Sequence, residues 1–180
     1  MSKPKVSSDW MAGCAGCHMS LLDMDERILA VAELADLRAT PITDLKEPDE
    51  SGVDVGILEG GVNNSSNEEV ALRMRARCKT LVALGDCAVF GGVPALRNFF
   101  SLEEALRRAY VEAESNDENG VIPDDPELAV MSRVRALSEV VPVDVFVPGC
   151  PPDADVIFHV LSELAQGRKP ELKDELLHWH

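Results

Sequence analysis

Four cysteines of this chain lie in surroundings that could support chemistry. Cys14 and Cys17 form a Cys-Ala-Gly-Cys pair, whereas Cys87 and Cys150 are isolated and lie far along the chain. Glycines and prolines cluster near the two isolated cysteines; they let a backbone approach a bound group closely and make a loop rigid. A cubane iron–sulfur cluster requires four thiolates, so we favour that cluster as the group these cysteines would hold.

Three other uses of the cysteine pair are open on the residues alone. Structural zinc also takes four cysteines, but usually as two close pairs. The string from Cys14 to His18 matches a c-type haem attachment site, which would require export of the chain. A thioredoxin-like redox pair would leave the glycines near Cys87 and Cys150 without a role. Inert core thiols are a further alternative, and we expect this state for Cys78, which has no glycine or proline beside it.

The composition narrows the function classes. The chain has 180 residues and a formal net charge of -15, so we expect no binding to nucleic acid or to an anionic membrane surface. It contains no apolar run long enough to span a membrane and no charged-then-apolar leader, which predicts a cytoplasmic protein without a membrane span. Thiols stay reduced in the cytoplasm, so metal or redox chemistry is favoured over disulfides.

The elements that must position the cysteines alternate between strands and helices. Apolar, β-branched runs predict strands at 53–59, 80–84 and 143–147, with shorter ones at 5–11 and 41–45. Helical spacing predicts helices at 20–39, 67–77 with Asn67 as the cap, 101–113 with a capping box at its start, and 153–166. This alternation predicts an α/β fold with a doubly wound, mostly parallel sheet, in a single domain over residues 1–168. The tail over residues 169–180 is apolar enough that we expect it to dock on a partner.

The strand ends bring the cysteines together in this scheme. Cys14, Cys87 and Cys150 each follow a predicted strand, and Cys17 stays close to Cys14. In parallel sheets, binding sites form outside the carboxyl ends of the strands. We therefore expect four thiols from three separate loops to converge on one edge of the sheet.

Three segments of the chain resemble the cluster-binding motifs of the small subunit of nickel–iron hydrogenases. They are Cys14-x-x-Cys17, the segment 85–92 around Cys87, and the segment 147–152 around Cys150. This family shares its domain with the cluster-bearing 20 kDa subunit of respiratory complex I. The resemblance implies a flavodoxin-like fold and makes Cys14, Cys17, Cys87 and Cys150 the ligands of one proximal [4Fe-4S] cluster.

The resemblance also implies partners and a role. It is strongest to the short small subunit of cytoplasmic NAD-reducing hydrogenases, a non-catalytic subunit of a hydrogen:NAD⁺ oxidoreductase. The partners would be a nickel–iron large subunit and diaphorase subunits that carry flavin and iron–sulfur clusters. A cluster-bearing subunit of a complex I-like oxidoreductase and a zinc-stabilised interaction domain are the alternatives. Complex I subunits typically carry two adjacent cysteines at the first position, so the Cys-Ala-Gly-Cys pair favours hydrogenase.

Three further residues are candidates for the surroundings of the cluster. Glu59 matches an acidic residue of the family and could carry protons, ligate iron, or accept hydrogen bonds from a loop. His18 is expected to donate a hydrogen bond or to pack at an interface, and Gly149 to bring its backbone close to the cluster. Many small subunits have a glutamate where this chain has Gly13, so a proton path through that position is not expected. FMN is not favoured, because the cysteine pair occupies the turn where a phosphate loop would lie.

Overall fold

The computed structural model describes residues 3–44, 50–116, 120–173 and Leu176. Within these ranges, five parallel strands form one sheet in the order β2-β1-β3-β5-β7. The strands are β1 (Lys5–Trp10), β2 (Asp36–Ala39), β3 (Val53–Glu59), β5 (Cys78–Leu84) and β7 (Val145–Val147). If the sheet strands are counted along the chain, their order is 2-1-3-4-5. This is the flavodoxin-like order, whose switch point lies between the first and third strands.

Helices cover both faces of this sheet. They are α1 (Gly16–Leu22), α2 (Arg27–Leu34), α3 (Ser65–Arg77), α4 (Gly85–Phe90), α5 (Leu102–Tyr110) and α6 (Ala154–Ala165), with short 3-10 helices at Val93–Phe99 and Leu137–Glu139. One core lies under α1, α2 and α6, where Met24 and Val147 are fully buried. The second core lies under α3 and α4 and includes Leu58 and Leu81. The predicted α/β fold with a doubly wound parallel sheet is therefore confirmed.

The helix predicted over 20–39 is wrong in its extent. The structure breaks it at residues 23–26, where Asp25 has a left-handed φ of 52°, and turns its last four residues into β2. The apolar residues of 36–39 fit either period, and parallel pairing with β1 selects the strand. The strand predicted at 41–45 is also absent from its described part, because Pro41 to Asp44 form a turn and a bend; Leu45 lies outside the described residues.

A small antiparallel pair lies beside the main sheet. β4 (Val62–Asn64) pairs with β6 (Met131–Arg135), and neither strand is predicted by the sequence. Asn64, rather than Asn67, caps α3, because its side chain accepts the Asn67 N–H at 2.8 Å. The capping box predicted at the start of α5 is confirmed, with Ser101 and Glu104 bonding each other reciprocally. In the described part of the chain, none of the helices combines the length and hydrophobicity that crossing a bilayer requires.

Candidate functional site

The carboxyl ends of four strands align in one row across the sheet. Trp10 of β1 pairs with Glu59 of β3, Glu59 pairs with Leu84 of β5, and Leu84 pairs with Val147 of β7. The segments that leave this row carry the cysteines or, in β3, end on a carboxylate. The predicted cysteine edge is therefore one physical edge of the sheet.

Each cysteine of the predicted set follows this row. Cys14 lies four positions after the end of β1, and Cys17 is the second residue of α1. Cys87 lies within α4, which begins directly after β5, and Cys150 follows β7 by three positions. The sequence interpretation placed Cys87 in a loop; in the structure its backbone is helical. Cys17 and Cys87 are partly buried, whereas the other two thiols are exposed.

The thiols lie close enough to influence one another electrostatically. Burial raises the pKa of the Cys17 thiol far above its usual value, and the charges of Glu59, Cys87, Cys14 and Cys150 raise it further. Burial also raises the pKa of Cys87, followed by Cys150; a hydrogen bond from the Val93 backbone opposes the increase. Both thiols are therefore held protonated at neutral pH while no cation is near. Across the described ranges, no three His, Cys, Asp or Glu side chains are grouped so that they could hold a metal ion.

Glycines leave space beside three of the thiols. A Cβ at Gly85 would lie 2.2 Å from the Cys17 Sγ, and φ at Gly85 is +84°, a conformation that side chains rarely adopt. A Cβ at Gly92 would lie 3.0 Å from the Cys87 Sγ, and one at Gly16 would lie 3.1 Å from the Cys14 Sγ. Larger residues at these positions would crowd the sulfur atoms or whatever they bind.

Hydrogen bonds tie the cysteine loops to one another. The Asp86 N–H donates to the Gly149 carbonyl at 2.9 Å, and the Gly149 N–H donates to the Asp86 Oδ1 at 2.7 Å. The Ser20 hydroxyl of α1 donates to the Pro152 carbonyl at 2.5 Å. The segments that carry Cys17, Cys87 and Cys150 are thus cross-linked beside their thiols. Gly149, predicted to bring its backbone close to the site, has a φ of +136°.

Glu59 and His18 form a buried pair behind the cysteine pair. The Glu59 Oε2 accepts the His18 backbone N–H at 2.7 Å and lies 2.6 Å from the His18 Nδ1. The other ring nitrogen lies 2.9 Å from the Ser8 hydroxyl, and the Trp10 ring packs edge-on against the imidazole. Among the roles considered for Glu59, the structure shows acceptance of a loop N–H. This contact fixes the first turn of α1, where Cys17 lies.

The sequence interpretation missed Asp86, Ser20 and Ser8. Asp86 stood between Gly85 and Cys87, so its position at a strand end was visible, but its partner Gly149 is 63 positions away. Ser20 and Ser8 carried no sequence signal, because their bonds depend on helix placement. Cys78 is buried in the second core, as expected for a structural cysteine.

Comparison with known proteins gives a family match and several relatives. Residues 14–164 match the family described as NADH ubiquinone oxidoreductase, 20 Kd subunit. The NAD-reducing hydrogenase HoxS subunit delta of Cupriavidus necator is 41% identical over 177 residues, which cover 97% of this chain and 84% of that protein. One subunit of the F420-non-reducing hydrogenase of Methanothermobacter marburgensis is 40% identical over 172 residues, which cover 94% of this chain. This chain spans only 56% of the length of that second relative.

A solved structure agrees with the same grouping. A chain in the crystal structure of an NAD⁺-reducing [NiFe]-hydrogenase in the H2-reduced state superposes with a TM-score of 0.93 at 37% sequence identity. The match covers 99% of this chain and 100% of that chain. The agreement thus extends over the whole sheet and the cysteine edge.

Proposed function

The chain belongs to the family of the 20 kDa subunit of NADH ubiquinone oxidoreductase, and on this basis we propose that it is the electron-transfer small subunit of a nickel–iron hydrogenase. One observation carries the proposal: four thiols from three separate strand ends lie on one edge of a parallel sheet. The hydrogenase names of the relatives support the assignment of the partner enzyme.

The residues at this edge fit a [4Fe-4S] cluster held by Cys14, Cys17, Cys87 and Cys150. The space left by Gly85 beside the Cys17 sulfur is the clearest support, because a side chain there would overlap the sulfur atom. Four thiolates are the common ligand set for this cluster. When bound, the cluster supplies reversible transfer of single electrons.

The chain's own residues prepare this edge for a charged group. Because burial raises the pKa values of Cys17 and Cys87, both remain neutral thiols until iron favours the thiolates, and loading therefore releases protons. The bonds between Asp86 and Gly149 hold two ligand loops together, and Glu59 holds the turn that carries Cys17. With four thiolate ligands and no open coordination position, the subunit would be non-catalytic, and the chemistry of hydrogen would belong to its partner.

An apolar surface beside Cys87 supports docking of a large subunit. Phe90, Val93, Leu96, Phe99 and Phe100 are all exposed, and Phe99 is exposed to 83%. Exposed apolar groups that adjoin one another commonly mark protein interfaces. We name these five residues the phenylalanine patch and propose that the nickel–iron large subunit covers it.

The remaining parts of the proposal concern electron flow and location. Electrons would pass from the large subunit through this cluster towards diaphorase subunits that reduce NAD, in the cytoplasm; the name of the Cupriavidus necator relative supports this acceptor. Docking of the tail over 169–180 on a partner is also still a prediction. Its described residues Leu172 and Leu176 pack against the chain's own first core.

A complex I-like oxidoreductase is the second candidate, because the matching family is described by that enzyme's subunit. The two candidates differ in the partner. A large subunit that co-purifies with this chain and contains nickel supports hydrogenase, whereas a partner without nickel supports the second candidate.

Anaerobic purification with the partner, followed by counts of iron, sulfide and zinc and by EPR, tests the proposal. We expect about four irons per chain and an EPR signal from the reduced cluster. Cys87→Ala should lose both, whereas Cys78→Ala, which changes the buried cysteine of the second core, should keep them. Zinc near one per chain with little iron would refute the cluster and favour the zinc-stabilised domain.

A further inference from the structure

An apolar cavity of about 300 Å³ lies between the sheet and the helices of the first core. It is bounded by β1, β2 and β3 on one side and by α1, α2 and α6 on the other. Its walls are mainly aliphatic and include Val6, Val55 and Ile57 from the sheet and Leu21, Val31 and Leu164 from the helices. The cavity lies below the row of strand ends, apart from the cysteine edge.

The cavity exists because small residues stand where the helices approach the sheet. Ala35, Ala39 and Ala165 all line it, and a larger side chain at any of these positions would extend into the space. Protein interiors normally contain few voids larger than a water molecule. A void of this size therefore leaves many wall atoms without packing contacts, and an occupant would restore them.

Water is a poor occupant because the polar atoms of the wall are already bonded. Ser8 Oγ lies 2.9 Å from the His18 ring, Thr43 donates to the Thr40 carbonyl at 3.3 Å, and the Thr40 hydroxyl accepts the Ile42 N–H. The lining residues, all of them within the described ranges, include no charged side chain. A buried water needs two to four polar partners, and dry apolar cavities of roughly half this volume bind benzene or xenon.

We propose that this cavity is a binding site for one small, uncharged, apolar molecule, with room for an aromatic ring of the size of toluene. The walls offer dispersion contacts and no free hydrogen-bonding group, so a nucleotide, a flavin or a carboxylate would lose its hydration without compensation. The inference goes beyond the proposed electron-transfer role and does not depend on it.

Xenon and toluene are the probes that test this site, used on the full chain with its cluster under anaerobic conditions. In crystals pressurised with xenon, we expect anomalous density between Ala35, Ala39 and Ile57. In solution, toluene should raise the melting temperature saturably, while the iron content stays unchanged.

Matched variants locate the effect. Ala35→Leu fills the cavity and should abolish both xenon density and the toluene shift. Ala32→Leu makes the same change on the exposed face of α2 and should keep both. Ala39→Val is a milder filling variant in case Ala35→Leu does not fold, and it should weaken the toluene shift strongly. Ordered water or the chain's own side chains in the cavity, no xenon there, or an undiminished toluene shift in the folded filling variants would overturn the proposal.

Discussion

Asp86 and Gly149 exchange two hydrogen bonds, so the residue before Cys87 is joined directly to the residue before Cys150. The backbone N–H of Asp86 donates at 2.9 Å, and its carboxylate accepts the Gly149 N–H at 2.7 Å. The two loops lie 63 positions apart in the chain, and this pair sets their separation at the cysteine edge.

Removing the carboxylate should loosen that edge. Asp86→Ala leaves the Gly149 N–H without its acceptor, at a cost of about 1 to 3 kcal/mol in the free energy of unfolding. We expect a lower melting temperature and fewer irons per chain. Asp86→Asn keeps an oxygen acceptor and should retain most of both. Equal iron contents in Asp86→Ala and the wild type would show that the bond does not position the loops.

Gly85 provides a sharper test of the space around Cys17. Gly85→Ala would place a methyl group 2.2 Å from the Cys17 sulfur, so we expect loss of the cluster. Gly167→Ala is the matched control, because Gly167 also has a positive φ but has no atom within 4 Å of the added methyl group. The control should lose about 1 kcal/mol of stability and keep its iron. A full complement of iron in Gly85→Ala would contradict the assignment of Cys17 as a ligand.

The phenylalanine patch predicts a defect in assembly without a defect in folding. Phe99→Ser should weaken association with the large subunit by roughly tenfold or more, because exposed aromatic residues often dominate interfaces. Leu29→Ser removes an equally exposed apolar side chain, 67% accessible, from α2 on the opposite face of the sheet. Co-elution of the subunits on size exclusion checks both variants. The hypothesis fails if Leu29→Ser disrupts the complex and Phe99→Ser does not.

Asp54 at the start of β3 should make the fold sensitive to acid. The hydrogen bond from Lys79, followed by that from the Lys5 backbone, lowers the pKa of Asp54 below its usual value of 3.8. A lowered pKa in the folded state adds stability above pH 3.8, and that stability is lost as pH falls towards the folded-state value. The contribution is below about 1 kcal/mol, because the pair is well exposed.

Asp54→Asn therefore should be less stable than the wild type at pH 7, and the difference should shrink as pH falls from 5 to 3. Urea unfolding followed by circular dichroism at each pH measures it. Both proteins share any acid loss of the cluster, so their difference reports Asp54. A difference that stays constant with pH would show that the ionised carboxylate is not involved.

The fold could be predicted where a segment's own pattern was sufficient. The strand over 53–59 has the bounds that its β-branched run predicts, and the capping box of Ser101 is formed. Prediction failed where long-range pairing decides: residues 36–39 form a strand only because β1 lies beside them.

The candidate site was predictable in its residue types but not in its connections. Spacing and strand ends indicated the four cysteines, whose role as ligands is still a prediction. The bond between Asp86 and Gly149 and the contact of Ser20 with Pro152 depend on how loops and helices meet in space. No local pattern in the sequence encodes those meetings.

The position of β7 has a consequence for biosynthesis. Cys150 follows this three-residue strand, which pairs with β5 at the rim of the sheet, and it is made 63 residues after Cys87. Since ribosomes deliver a chain from its amino end, three of the proposed ligands emerge well before the fourth. Iron–sulfur insertion must therefore wait for nearly complete translation, and the nascent chain needs protection of three early thiols from premature metals and oxidants.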